Sequence, residues 1–171
     1  RNCSINIFQN VVLRGIFSLF NISLFKQFHN VFMVSQGSPR GKSVTKQTVT
    51  DGQRNLVHGL DGYDEISLTS DTRVFSTRKH FATLSVADFG AEALEPASLR
   101  GAETIEGNAD IIRAVLSGEG STAHHRVVAA NAALALEIWD SECSMDLAFQ
   151  RVLDFLSSGS AMDYLNTLIE S

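Results

Sequence analysis

A chain of 171 residues with 44% hydrophobic content is long enough for one domain with a buried core. Its formal net charge of −5 and the lack of a Lys/Arg cluster exclude a nucleic-acid surface, which needs a basic footprint. The two cysteines, Cys3 and Cys143, are far apart and show no paired ligand spacing, which excludes a disulfide scaffold and suggests a reduced, cytoplasmic setting.

The chain begins with Arg1 and not methionine, so a piece of a longer protein is the expectation. Residues 5–34 are apolar and rich in Phe, but Arg14 and Lys26 interrupt them, leaving no run of about 20 apolar residues to span a bilayer. The bulky residues after Leu24 do not suit a secretory cleavage site either. Val12, Ile16, Leu19, Phe20 and Leu24 recur on a loosely helical period, predicting a helix over Val11–Phe28. Asn30–Ser35 reads as a strand. Ser35–Gln53 opens as a polar loop around Pro39 and Gly41, with a short helix expected over Ser43–Val49.

From Asn55 the pattern sharpens. Leu56 and Val57 predict a short strand running into a turn at Gly59–Gly62, with further strands at Ile66–Leu68 and Arg73–Ser76 around the turn residues Ser70 and Asp71. His80–Val86 alternates and extends this β-rich meander. Ser85 and Asp88 suit the caps of one helical turn that Gly90 stops, and Pro96 sits in a connector. Ile111, Ile112, Val115 and Leu116 predict a helix capped by Asn108 and ended by Gly118. The next helix, Thr122–Trp139, places Val127, Val128, Asn131, Leu134, Ala135 and Ile138 on a core-facing stripe. Two amphipathic helices, Met145–Ser157 and Ala161–Glu170, complete the chain around Ser158-Gly159-Ser160.

The turn His58-Gly59-Leu60-Asp61-Gly62-Tyr63-Asp64-Glu65 is the main candidate site. Its glycines allow a close backbone approach, and Asp64 and Glu65 supply the hard oxygen ligands that Mg²⁺ prefers, commonly one or two carboxylates together with substrate phosphates. Turn chemistry alone also accounts for Asp and Gly here. His58 reads as a packed or hydrogen-bonded histidine or as an acid/base. His124 and His125 are adjacent, so they project in different directions from a helix and share no metal; both are expected at the surface. Ser67, Thr69 and Ser70 lack any nucleophile motif. Gly118-Glu119-Gly120 follows a helix, which favours a helix end over a phosphate loop. Asn131 reads as a buried amide with a structural hydrogen bond.

The string His58 to Thr69 resembles the His-Gly-x-x-Gly-x-Asp-Glu-Ile-Ser-x-Thr segment of the anthranilate phosphoribosyltransferases. Asp88-Phe89-Gly90, Leu99-Arg100-Gly101, Gly107-Asn108-Ala109, Val115-Leu116-Ser117-Gly118 and Val128 to Leu136 follow in that family's order. The resemblance implies an α/β fold, a mixed sheet flanked by helices. Residues 55–171 would form the C-terminal part of the large domain, and residues 1–54 a divergent N-terminal segment of it. It implies a tryptophan-biosynthetic transferase that joins anthranilate to phosphoribosyl pyrophosphate, with Mg²⁺ held by Asp64 and Glu65 and a homodimeric parent. Arg14 opens a segment similar to the family's Arg-Thr-x-Phe-Asn-x-x-Gly-Pro, keeping the Arg and Phe but not the Gly-Pro; it would bind the anthranilate carboxylate, for which a planar guanidinium is suited, or be a structural or unaligned arginine. The family's Gly-rich phosphate loop, its Lys-His-Gly-Asn motif and its N-terminal helical domain have no counterpart in the sequence, so the chain alone is expected to show little or no activity. Two other readings stay open: a pyrimidine nucleoside phosphorylase-like enzyme, and a non-catalytic binding module of the same fold.

Overall fold

The computed structural model describes residues 55–76, 80–139 and 143–170. The elements expected at Val11–Phe28, Asn30–Ser35 and Ser43–Val49 lie outside the described residues. Within them run three strands, β1 (Asn55–Gly59), β2 (Thr72–Ser76) and β3 (His80–Leu84), then 3-10 turns at Val86–Phe89 and Pro96–Leu99. Four helices follow: α1 (Ile105–Leu116), α2 (Thr122–Trp139), α3 (Met145–Ser157) and α4 (Ser160–Ile169). The chain is therefore α/β, as expected, with its described strands first and its helices after them.

β2 is the middle strand of an antiparallel meander, aligned with β1 so that Val57 faces Val74, and with β3 so that Val74 faces Ala82. The two-residue period sorts the faces: Val57, Thr72 and Val74 are buried, whereas His58, Arg73, Phe75 and Thr83 are exposed. The strand expected at Ile66–Leu68 does not form. Leu68 stands at φ 58°, a left-handed conformation that no strand continues through. It costs an L-residue about 1–2 kcal/mol. Full burial of the Leu68 side chain and a 2.8 Å hydrogen bond from Leu94 N–H to Leu68 O hold it there.

Asp88 accepts hydrogen bonds from Ser85 N–H (2.7 Å) and Ser85 Oγ (2.9 Å), and Gly90 ends the turn in the left-handed region, so this reading holds. The turn seats Phe89 edge-on against Phe149 of α3, with ring centroids 5.9 Å apart. α1 starts earlier than expected. Thr104 is its N-cap, with Oγ1 accepting from Gly107 N–H at 3.0 Å. Asn108 lies a turn inside and ties the preceding connector down, bonding Ala102 N–H, Ala102 O and Thr104 O at 3.0, 2.9 and 2.8 Å.

α2 departs from the expected one-sided stripe, because residues 127–136 are all buried. Ala129, Ala130, Ala132, Ala133 and Ala135 present little more than backbone, so neighbours close in, α3 foremost. No helix among the described residues is long and apolar enough to cross a membrane.

The ends of α1 and α3 are built alike. Gly118 (φ 80°) and Gly159 (φ 74°) follow the two C-caps, and Gly118 N–H and Glu119 N–H bond back to Val115 O and Ala114 O at 3.2 and 2.9 Å. A Cβ on Gly118 would lie 2.6 Å from Ser157 O, whereas one on Gly159 would lie 3.2 Å from Ser117 O. Gly118→Ala therefore combines left-handed strain with a collision against backbone and is expected to cost more than about 2 kcal/mol in chemical denaturation. Gly159→Ala, with the looser fit, should lose less; equal losses would contradict this packing.

Candidate functional site

The site is the stretch between β1 and β2. Gly59 N–H donates to Tyr63 O (2.8 Å), Gly62 N–H to Gly59 O (3.0 Å) and Leu60 N–H to Asp71 O (2.9 Å), which folds the chain back on itself. Gly59 has no room for a side chain, since a Cβ there would strike Asp61 Oδ1 and come within 3.2 Å of Tyr63 O.

Asp61 is the polar hub of this turn. Its Oδ2 accepts from Ser67 Oγ (2.6 Å) and from Thr69 Oγ1, and its Oδ1 accepts from Tyr63 N–H (3.3 Å). Burial opposes its ionisation, but the Ser67 and Thr69 hydroxyls and the Tyr63 amide outweigh that and hold its carboxyl below the usual range. Ser67 and Thr69 brace the loop, with their hydroxyl oxygens 2.9 Å apart, and Ser70 Oγ donates to Asp71 O at 3.1 Å.

Behind the turn, Asn131 of α2 reaches Ile66. Its Oδ1 accepts from Ile66 N–H at 3.1 Å and its Nδ2 donates to Ile66 O at 2.8 Å, with a further bond to Val127 O at 2.9 Å. The buried structural amide read in the sequence is thus present, and its partner lies 65 positions upstream.

Between these two anchors stand Asp64, exposed, and Glu65, half-buried. Burial first, and then the adjacent Asp64 charge, push the Glu65 carboxyl up to about 7. Among the described residues neither side chain has a hydrogen bond or an ion pair. Nor do three or more His, Cys, Asp or Glu gather anywhere among the described residues as a protein-only metal cage. Two repelling carboxylates without a cation suit a hard divalent ion that takes its remaining ligands from water and phosphate.

The other candidates are resolved differently. His58 is exposed on the outer face of the sheet. His125 is buried, not at the surface as expected: Nδ1 lies 3.1 Å from Ser121 O and Nε2 3.1 Å from Val115 O, and a neutral ring donates to one of the two according to its tautomer. His124 is half-buried, and burial followed by the neighbouring His125 holds it below the usual histidine range. Gly118 is a helix end. Arg14 lies outside the described residues. Sequence reasoning passed over Asp61 as a turn former; the Ser67 and Thr69 hydroxyls downstream were the available signal that it had partners.

Residues 33–162 match the family described as glycosyl transferase family, a/b domain. The anthranilate phosphoribosyltransferase of Flavobacterium johnsoniae is 36% identical over 115 residues, covering 67% of this chain and 34% of that protein. That of Christiangramia forsetii is 36% identical over 119 residues, covering 70% and 35%. The chain thus spans about a third of the length of the curated relatives it matches. Among solved structures, the anthranilate phosphoribosyltransferase of Thermus thermophilus superposes with TM-score 0.60 at 27% identity over 68% of this chain and 34% of its own. The Saccharomyces cerevisiae enzyme in complex with phosphoribosyl pyrophosphate and Mg shares the fold, with TM-score 0.61 at 22% identity over 69% of this chain and 34% of that one.

Asp61→Asn is expected to lower stability by about 1 kcal/mol at neutral pH, the low end for bonds to an ionised group because the carboxylate is open to solvent. The folded carboxyl sits below 3.8, so its contribution is present above that ordinary value and is lost as pH falls through the lower folded one. Urea midpoints of wild type and variant should therefore converge in acid; a difference constant with pH would contradict the hub.

Proposed function

We infer the activity from one premise: the chain belongs to the glycosyl transferase family that carries the matched a/b domain. It is the C-terminal part of the large domain of an anthranilate phosphoribosyltransferase, residues 55–171 carrying the motifs of that domain and residues 1–54 an N-terminal segment of it, more divergent in sequence although the family match begins at residue 33. The parent enzyme transfers the phosphoribosyl group of phosphoribosyl pyrophosphate to anthranilate in the cytoplasm, releasing pyrophosphate. The relatives' names and the complex of the yeast enzyme with phosphoribosyl pyrophosphate and Mg support this reading.

The observation that carries the site assignment is the adjacent carboxylate pair on a turn anchored from both sides. Asp64 and Glu65 hold Mg²⁺, with Arg14 assigned to the anthranilate carboxylate. Held there, Mg²⁺ would supply positive charge to offset that of a departing pyrophosphate. The chain's own part is to supply two adjacent acidic groups on a turn anchored at Asp61 and Ile66. No general base is required of these residues.

Calorimetry with Mg²⁺ and pyrophosphate should show binding by the wild-type chain and a loss of about tenfold or more in Asp64→Asn, as for removal of a charged ligand. Equal binding by both would end the metal assignment. In a turnover assay with both substrates and Mg²⁺, the 171-residue chain should form little or no product. Robust product formation would show that the missing phosphate loop is dispensable.

A further inference from the structure

We propose that Asn131 is the positioning residue of the acidic pair: its side-chain amide fixes the Ile66 peptide groups, and through them the placement of Asp64 and Glu65 for a divalent cation. This rests on the metal reading of that pair.

The contact is specific in its chemistry. Asn131 is 3% exposed, on a helix buried all round at that level. Its amide meets one N–H and two carbonyls, Ile66 N–H on the oxygen side and Ile66 O and Val127 O on the nitrogen side. A flipped amide would set donor against donor and acceptor against two acceptors, so the network admits one orientation. The bond to Val127 O, one turn back on the same helix, fixes the side chain before it reaches the loop. Ile66 is itself 1% exposed, so its side chain is seated in the core while both of its backbone groups are held by Asn131.

What this does for the carboxylates follows from chain geometry. Consecutive Cα atoms are about 3.8 Å apart, so Glu65 and Asp64 lie one and two steps from a residue held at three points. On the far side Asp61 grips Ser67 and Thr69. The left-handed Leu68, at φ 58°, ends any extended run two residues after Ile66. The side chain of α2 stands in for a pairing strand there. The loop can then stay irregular and keep both acids free of protein partners among the described residues. A partner that orients a ligand without touching the metal commonly changes affinity by about 10–100-fold when removed.

The test uses the full chain with Mn²⁺ and inorganic pyrophosphate, binding being followed by water proton relaxation. Wild type should bind, Asp64→Asn should lose binding, and Asn131→Ala should weaken it by about tenfold. Val152→Ala, a core truncation on α3 that removes no hydrogen bond to the loop, is the control for lost stability and should bind as wild type. Asn131→Asp, which keeps the size and the acceptor toward Ile66 N–H but loses both donor bonds, should fall between. Either Asn131 variant, folded and binding as tightly as wild type, overturns the proposal while the metal reading stands. No binding by wild type, or equal binding by wild type and Asp64→Asn, removes the metal reading and this proposal with it. A check independent of variants is amide hydrogen exchange in wild type. The Ile66 amide should be protected with those of α2, and exchange at the rate of an open loop would overturn the clamp.

Discussion

The segment between β1 and β2 is buried at Ile66, Ser67 and Leu68 yet cannot pair as a strand, so its main-chain polar groups must be satisfied from another element. A buried N–H or C=O left without a partner costs about 1–3 kcal/mol, and Ile66 presents one of each. Asn131 meets both. The arrangement resembles one rung of a β-ladder, with a side-chain amide in place of the second strand. The loop can therefore stay out of the sheet at Ile66 while Leu68 takes its left-handed conformation two residues on.

For a side chain as short as asparagine to reach the loop backbone, the helix carrying it must lie close behind. The alanines of α2 make this possible, because a helix faced with Ala129, Ala130, Ala132 and Ala133 can be approached from several sides without large side chains intervening. Packing and polarity are thus linked. The small residues that let α3 lie along α2 also bring its one buried amide within reach of Ile66. The Phe89–Phe149 contact pins the connector after β3 to the same bundle.

Much of this was legible in the sequence where local chemistry decides the outcome. The meander, the Ser85–Asp88 turn ended by Gly90 and the four helices follow from alternation, capping and period. The misreadings share a cause. Ile66–Leu68 has strand composition, but its partner is a side chain 65 positions away, which no local pattern announces. Asn108 has the chemistry of a cap and acts as a tether one turn inside α1, because Thr104 stands earlier and takes the cap. The α2 stripe widened to the whole circumference because alanine at the remaining positions carries no strong polarity signal. His125 was misplaced for a related reason: only the fold shows two backbone carbonyls waiting for its ring. The acidic pair and the buried amide of Asn131 were visible as residues, whereas the partner of Asn131 at Ile66 and the anchoring role of Asp61 were not.

The two glycine-ended helix turns have a consequence for anyone who would re-engineer the chain. Gly118 and Gly159 sit in short polar turns near the surface, the places usually chosen for inserted tags or new termini. Here each glycine faces the backbone of the other turn, Gly118 toward Ser157 and Leu156, Gly159 toward Ser117. The turns form a single joint in which two chain reversals are seated against one another. A graft into either one displaces both, so a surface position that looks permissive is in fact shared between two parts of the fold.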